Sequence, residues 1–322
     1  MPARRLPSRR RPPPLQLMKR IFATVVLAFV LVLVSSAQED GGKEQFAKPA
    51  PVIANGKYGP LERNVFDLWR PASKKPTPLM VYIHGGGFVN GDKGKLSANL
   101  LKRLLDNGIA VMAVNYSLLP DHVYPQAYKD CARAVQFARF KAGEWNIDKS
   151  KIGAMGSSAG GLTSLWIGFH ADMADKASPD PVLRESTRLG VMAVWAAQTT
   201  LVPEVVGTKV GMVTLKHSFY TGRLFGLKPA DMETEKVKAM IKEASPLSHL
   251  TKDDPPVWAF YSVAAKPQTA ETTVSDAIHH PYFGVLLKGE MDKLKIECKL
   301  RHKDDGKTIN DDVTAFIIKH LR

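Results

Sequence analysis

From about residue 60 onward, short apolar runs alternate with amphipathic stretches. "PLMVYIHGG" (78–86) and "IAVMAVNYS" (109–117) are runs of strand length rich in Val and Met. Between them, "KLSANLLKRLLDNG" (95–108) carries leucines at helical spacing and stops at Gly108. "YPQAYKDCARAVQFARFKAGEW" (124–145) predicts a second amphipathic helix, and "SKIGAMGSSAGG" (150–161) a strand running into a glycine-rich turn. "LTSLWIGFH" (162–170) continues as helix. "LGVMAVWAA" (189–197), "PVWAFYS" (256–262) and "LKIECKL" (294–300) give three more strand candidates, and "TINDDVTAFIIKHL" (308–321) a closing helix. Strands alternating with helices predict an α/β fold with a mostly parallel sheet covered on both faces.

Residues 199–250 break this rhythm: about fifty residues with helical fragments and no clear core strand. An insertion of that size between two sheet strands is expected to form a cap over one end of the sheet.

The start of the chain changes the picture of charge. A Lys19-Arg20 pair precedes an apolar run from Ile21 to Val34 and then Ser35-Ser36-Ala37, the pattern of a secretory signal cut after Ala37. Met18 would begin a signal of normal length, and residues 38–59 read as a leader. Fourteen apolar residues are short for a membrane span. Residues 1–37 hold seven Lys or Arg and no acid, so removing them lowers the formal net charge from +14 to +7. The remaining lysines are scattered without interleaved aromatics, and no nucleic-acid motif is present. Two cysteines, Cys131 and Cys298, are too few for a disulfide framework, and no Cys/His spacing points to zinc.

The candidate chemistry sits in two glycine motifs. Gly156-Ser157-Ser158-Ala159-Gly160 is a G-x-S-x-G between a predicted strand and a predicted helix, a turn that raises the Ser158 hydroxyl at the strand's C-terminal edge. Upstream, His84-Gly85-Gly86-Gly87 follows another strand, and its backbone N–H groups are free to turn toward a bound oxygen. With the N–H of Ala159, those of Gly85 and Gly86 make a candidate oxyanion hole.

These motifs, with "NYSLLP" (115–120), "DCARAVQFAR" (130–139) and "SPL" (245–247), resemble the α/β-hydrolases, in particular the hormone-sensitive-lipase-like carboxylesterase branch. The resemblance covers roughly residues 60–322. It implies an eight-stranded, largely parallel sheet, a nucleophilic serine, and the chain order serine, acid, histidine. It implies no metal and no dissociable cofactor.

Of the nine histidines, His320 lies in the closing helix, and His302 alone directly follows the last predicted strand, where the family carries its general base. His279 and His280 stand before Pro281, which reads as a helix start. The acid is the anomaly. In the family it follows the strand corresponding to "VWAFYS", which here runs into Val263-Ala264-Ala265-Lys266 and places Ala265 at the acid position. Asp276 is the first substitute, Glu271 the second and Glu204 the third. The expected function is a secreted serine esterase for short-chain carboxylic esters, acyl groups on carbohydrate among them. The alternative is an α/β-hydrolase-fold binding protein impaired by loss of the acid. The charged cap argues against a lipase working at lipid interfaces.

Overall fold

The computed structural model describes residues 47–322 except 212–221, 229–230, 232–233, 270 and 306–308. The expected signal segment lies outside the described residues. Among those described, no helix is long and apolar enough to cross a membrane.

Eight strands form one sheet in the order β1-β2-β4-β3-β5-β6-β7-β8. They are β1 Ile53–Lys57, β2 Val65–Trp69, β3 Thr77–Ile83, β4 Ala110–Val114, β5 Ile147–Ser157, β6 Met192–Trp195, β7 Val257–Tyr261 and β8 Cys298–His302. β2 runs antiparallel to both β1 and β4, and every pair from β4 through β3 to β8 is parallel. The fold is that of an α/β-hydrolase.

The parallel strands β3, β4, β6 and β7 and the second half of β5 are largely buried on both faces, as their apolar runs require; all five residues of β4 and all five of β7 are buried. One core layer joins Leu79, Val81, Ile83, Met112 and Val114 to Tyr128 and Leu165. The other packs Met80, Val111, Met155 and Trp258 against Leu101, Leu104, Phe316 and Ile317.

The helices follow the periodicity. α1 (Ala98–Asp106) starts at Ser97, whose side chain accepts from the Leu100 N–H, and buries Leu100, Leu101 and Leu104. α2 spans Gln126–Phe140, and α3 (Ala159–Phe169) is buried along its whole length. Within the expected cap, the described residues form a helical turn at Pro203–Val205, a π turn at Val206–Val210 and α4 at Glu235–Glu243. Then come α5 (Val274–Ile278), α6 (Tyr282–Lys293) and α7 (Ile309–Leu321).

Two elements depart from the sequence reading. β1 lies inside the stretch read as leader; it is a half-exposed edge strand with a register shift between Ile53 and Gly56, so it carries no hydrophobic run to betray it. β8 begins four residues later than expected. Lys295 takes a left-handed conformation (φ +59°) and the Ile296 N–H bonds back to the Met291 carbonyl, so residues 294–296 close α6 instead of opening a strand.

Candidate active site

All the parallel strands end on the same edge of the sheet, and the chemistry-bearing residues gather there. Ser158 follows β5 at φ +51° and ψ −119°, a strained conformation at the head of α3. Its N–H is held by the Trp195 carbonyl (2.8 Å), and its carbonyl accepts from the Leu162 N–H (2.8 Å). The flanking glycines are forced by space. A Cβ on Gly156 would lie 2.5 Å from the Ile83 carbonyl oxygen, and one on Gly160 would collide with the same atom. β3, β5 and α3 therefore meet backbone to backbone under the serine.

The glycine loop after β3 is fixed by two peptide planes. The Tyr116 hydroxyl donates to the His84 carbonyl (2.8 Å), and His84 Nδ1 donates to the Gly85 carbonyl (2.8 Å). The His84 and Tyr116 rings stack with centroids 4.2 Å apart, so both carbonyls turn toward one aromatic pair. In a trans peptide the N–H opposes the C=O. The N–H groups of Gly85 and Gly86 consequently face away from that pair, and among the described residues neither donates to a protein acceptor. The same holds for Ala159, the first residue of α3. Gly86 itself sits at φ +121°, a conformation open to glycine.

The histidine partner differs from the one expected. Ser158 Oγ lies 2.8 Å from His279 Nε2. His279 caps α5, and the turn around it is pinned from below: Gln198 Nε2 donates to the Ile278 carbonyl (2.5 Å) and Thr199 Oγ1 to the Phe283 carbonyl (3.0 Å). Next to it, His280 Nε2 bonds the Lys266 carbonyl (2.7 Å) and ties down the loop after β7. Burial pushes the His279 imidazole down to about 4 from its ordinary 6.5, opposed by the nearby Asp276 carboxylate and Ser275 carbonyl. At neutral pH its ring is therefore uncharged and able to accept a proton.

His302, the expected base, is not brought to Ser158. It is the last residue of β8, paired with Tyr261, and its N–H is held by Asp305 (2.9 Å). β8 lies three strands beyond β5, roughly 14 Å at ordinary strand spacing. A residue still inside that strand does not fold back over the serine, and among the described residues no hydrogen bond joins the two.

Ala264 and Ala265 are exposed on the loop after β7. His279 Nδ1 is buried, and among the described residues no group forms a hydrogen bond of normal geometry with it. Asp276, one turn before His279 in α5, acts on the imidazole through its charge, while its own N–H is capped by Thr273 Oγ1 (3.0 Å). Glu271 and Glu204 are exposed, and neither is bonded to His279.

The family model described as BD-FAE matches residues 66–266, well over half of the chain. The chain belongs to the BD-FAE family. The matched stretch contains the glycine loop and Ser158, and His279 lies just beyond it. Among curated relatives of this BD-FAE protein are the arylesterase of Saccharolobus solfataricus, 36% identical over 96 residues (29% of the chain, 31% of the relative). Esterase LipC of Mycobacterium tuberculosis is 29% identical over 117 residues (36% of the chain, 29% of the relative). The matched segments thus span about a third of each relative. Solved structures share the fold. A truncated carbohydrate esterase from gut microbiota superposes with a TM-score of 0.65 at 19% identity, covering 84% of this chain and 95% of that one. An acetyl ester-xyloside bifunctional hydrolase from Caldicellulosiruptor lactoaceticus gives 0.62 at 20% identity, covering 79% and 86%.

Proposed function

We propose that this BD-FAE family protein is an exported hydrolase of short-chain carboxylic esters. Ser158 is its nucleophile, His279 its general base, and the N–H groups of Gly85, Gly86 and Ala159 its oxyanion donors. The observation that carries the reading is the 2.8 Å contact between Ser158 Oγ and His279 Nε2 on a strained strand-to-helix turn. His279 takes the Ser158 proton as the hydroxyl attacks the acyl carbon, then returns it to the leaving alcohol. Water repeats the cycle on the acyl-enzyme and releases the carboxylic acid. Each well-aimed oxyanion donor lowers such a barrier by roughly 3–4 kcal/mol. The esterase names of the curated relatives support ester hydrolysis. Acyl groups on carbohydrate are the favoured substrate class because the structural neighbours include carbohydrate esterases. The lysine-arginine pair and apolar run at residues 19–34 support export.

In this reading the acid is not a bonded member of a triad. Asp276 favours the imidazolium by charge across one helical turn, and His279 works in a dyad with Ser158. An Nδ1 with no bonded carboxylate favours a second reading, a site of reduced power or a fold kept for binding. Hydrolysis of p-nitrophenyl acetate by residues 38–322 decides between them. A rate that Ser158→Ala abolishes supports the esterase. Equal rates for the two proteins, at the level of buffer, would sink it.

A further inference from the structure

Away from Ser158, at the opposite end of α3, three metal-capable side chains converge. His170 caps the C-terminus of α3, Glu243 is the last residue of α4, and His249 follows the 3-10 turn Pro246–Ser248. Ligand atoms from all three lie within 4.8 Å of one another. His170 Nε2 is 3.2 Å from Glu243 Oε1, and the two imidazole centroids are 4.7 Å apart.

The hydrogen bonds around the cluster fix its protonation pattern. His170 Nδ1 lies 2.8 Å from the Ala171 carbonyl, and a carbonyl only accepts, so Nδ1 carries the proton. In the neutral ring, the lone pair on Nε2 then faces a carboxylate oxygen at 3.2 Å. Two acceptors so placed are held together by a proton on Nε2 or by a metal cation. His249 differs: its Nε2 lies 2.7 Å from the Glu243 main-chain oxygen and 3.9 Å from Glu243 Oε2, so the nitrogen that faces the cluster is the one now held by the carbonyl, and a metal there would displace its proton. For His170, a main-chain carbonyl holds the far ring nitrogen, the arrangement that orients metal-binding histidines. Trp166 braces the whole. Its Nε1 donates to the Glu243 carbonyl (2.8 Å), and its ring lies 4.6 Å from His170 and 6.2 Å from His249. The C-terminal end of α3 adds a negative potential.

We infer that His170, Glu243 and His249 form a binding site for a divalent transition cation, zinc foremost, that fastens the last helix of the cap segment to the C-terminus of the nucleophile helix. Two imidazoles and one carboxylate are a zinc ligand set, and the half-exposed Glu243 leaves a fourth position to water. Ligands at about 2.0–2.1 Å from a tetrahedral zinc stand about 3.3 Å apart, close to the 3.2 Å between His170 Nε2 and Glu243 Oε1.

The test is zinc chloride titrated by calorimetry into the chelator-stripped protein, beside His170→Ala, His249→Ala and Glu243→Gln. The expected result is one equivalent of zinc for the wild type, affinity at least about 100-fold weaker in each variant, and a zinc-dependent rise in Tm that the variants lose. Circular dichroism and an unchanged p-nitrophenyl acetate rate show that the variants are folded. No zinc bound by the wild type overturns the inference, and so does binding that survives all three substitutions. If the two acceptors are bridged by a proton alone, the titration shows no zinc uptake.

Discussion

Ser158 Oγ and His279 Nε2 stand 2.8 Å apart, while the other nitrogen of the same imidazole, Nδ1, is buried with no carboxylate bonded to it among the described residues. The contact that the proposed serine–histidine pair needs is present, and no carboxylate is bonded to the far side of the imidazole. Most of what can be tested follows from that asymmetry.

His279→Ala should lower kcat for p-nitrophenyl acetate by about 10³-fold or more, as expected when the base of a nucleophile–base pair is removed. His302→Ala, at the end of β8, should stay within about threefold of wild type. Steady-state rates of the two variants side by side check this. The reverse ranking would return the base to His302.

Asp276→Asn should cost less than about tenfold in kcat, because no hydrogen bond to Nδ1 is lost; a bonded triad acid is worth on the order of 10⁴-fold. Its charge matters to the pH profile. The carboxylate raises the His279 pKa, so its removal lowers that pKa further. In wild type the acid limb of kcat/KM should fall near pH 4, and in Asp276→Asn below it. A limb near 6.5 that Asp276→Asn leaves in place would contradict the proposed environment of His279.

Tyr116→Phe should reduce kcat about tenfold with little change in KM. The lost hydroxyl frees the His84 carbonyl, and the peptide that aims the Gly85 N–H is no longer fixed. Stability is the control: a variant that loses rate only in proportion to its folded fraction would argue against a positioning role.

Gly160→Ala should destabilise by at least about 3 kcal/mol, since the new methyl meets the Ile83 and His84 carbonyl oxygens, which belong to main chain and cannot swing aside. Urea unfolding measures it. A loss below about 1 kcal/mol would mean that the elbow relaxes more easily than its packing indicates.

Acid should weaken the fold before the carboxylates titrate fully. His84, with none of its surface exposed, and His279 are both lowered by burial from 6.5 to about 4. Between those values the unfolded chain binds protons that the folded chain does not. Stability is therefore full above pH 6.5 and declines as pH falls toward 4. The urea midpoint should drop across this window, and His84→Gln should flatten the slope if the residue still folds into the loop. A midpoint constant from pH 7 to 4.5 would refute the assignment.

Much of this was legible in the chain. Apolar runs marked β3, β4, β6, β7 and the second half of β5, because strands buried on both faces leave few polar positions to hide them. The two glycine motifs marked the turn at Ser158 and the loop at Gly85 and Gly86, since backbone crowding of the kind seen at Gly156 and Gly160 excludes every other residue. That no carboxylate stands in Val263-Ala264-Ala265-Lys266, directly after β7, was equally plain, and Ala264 and Ala265 are exposed there.

What the sequence left open was decided by contacts between segments far apart in the chain. His279 reaches Ser158 across 121 positions because Gln198 and Thr199, beyond β6, grip the turn between α5 and α6. His170, Glu243 and His249 come together from the ends of three elements with no metal-binding spacing among them. A local pattern encodes which face of a segment is buried and where a turn must fall. Which side chains meet across the end of the sheet depends on how helices and loops of low periodicity pack there, and that is fixed only when the whole chain has folded.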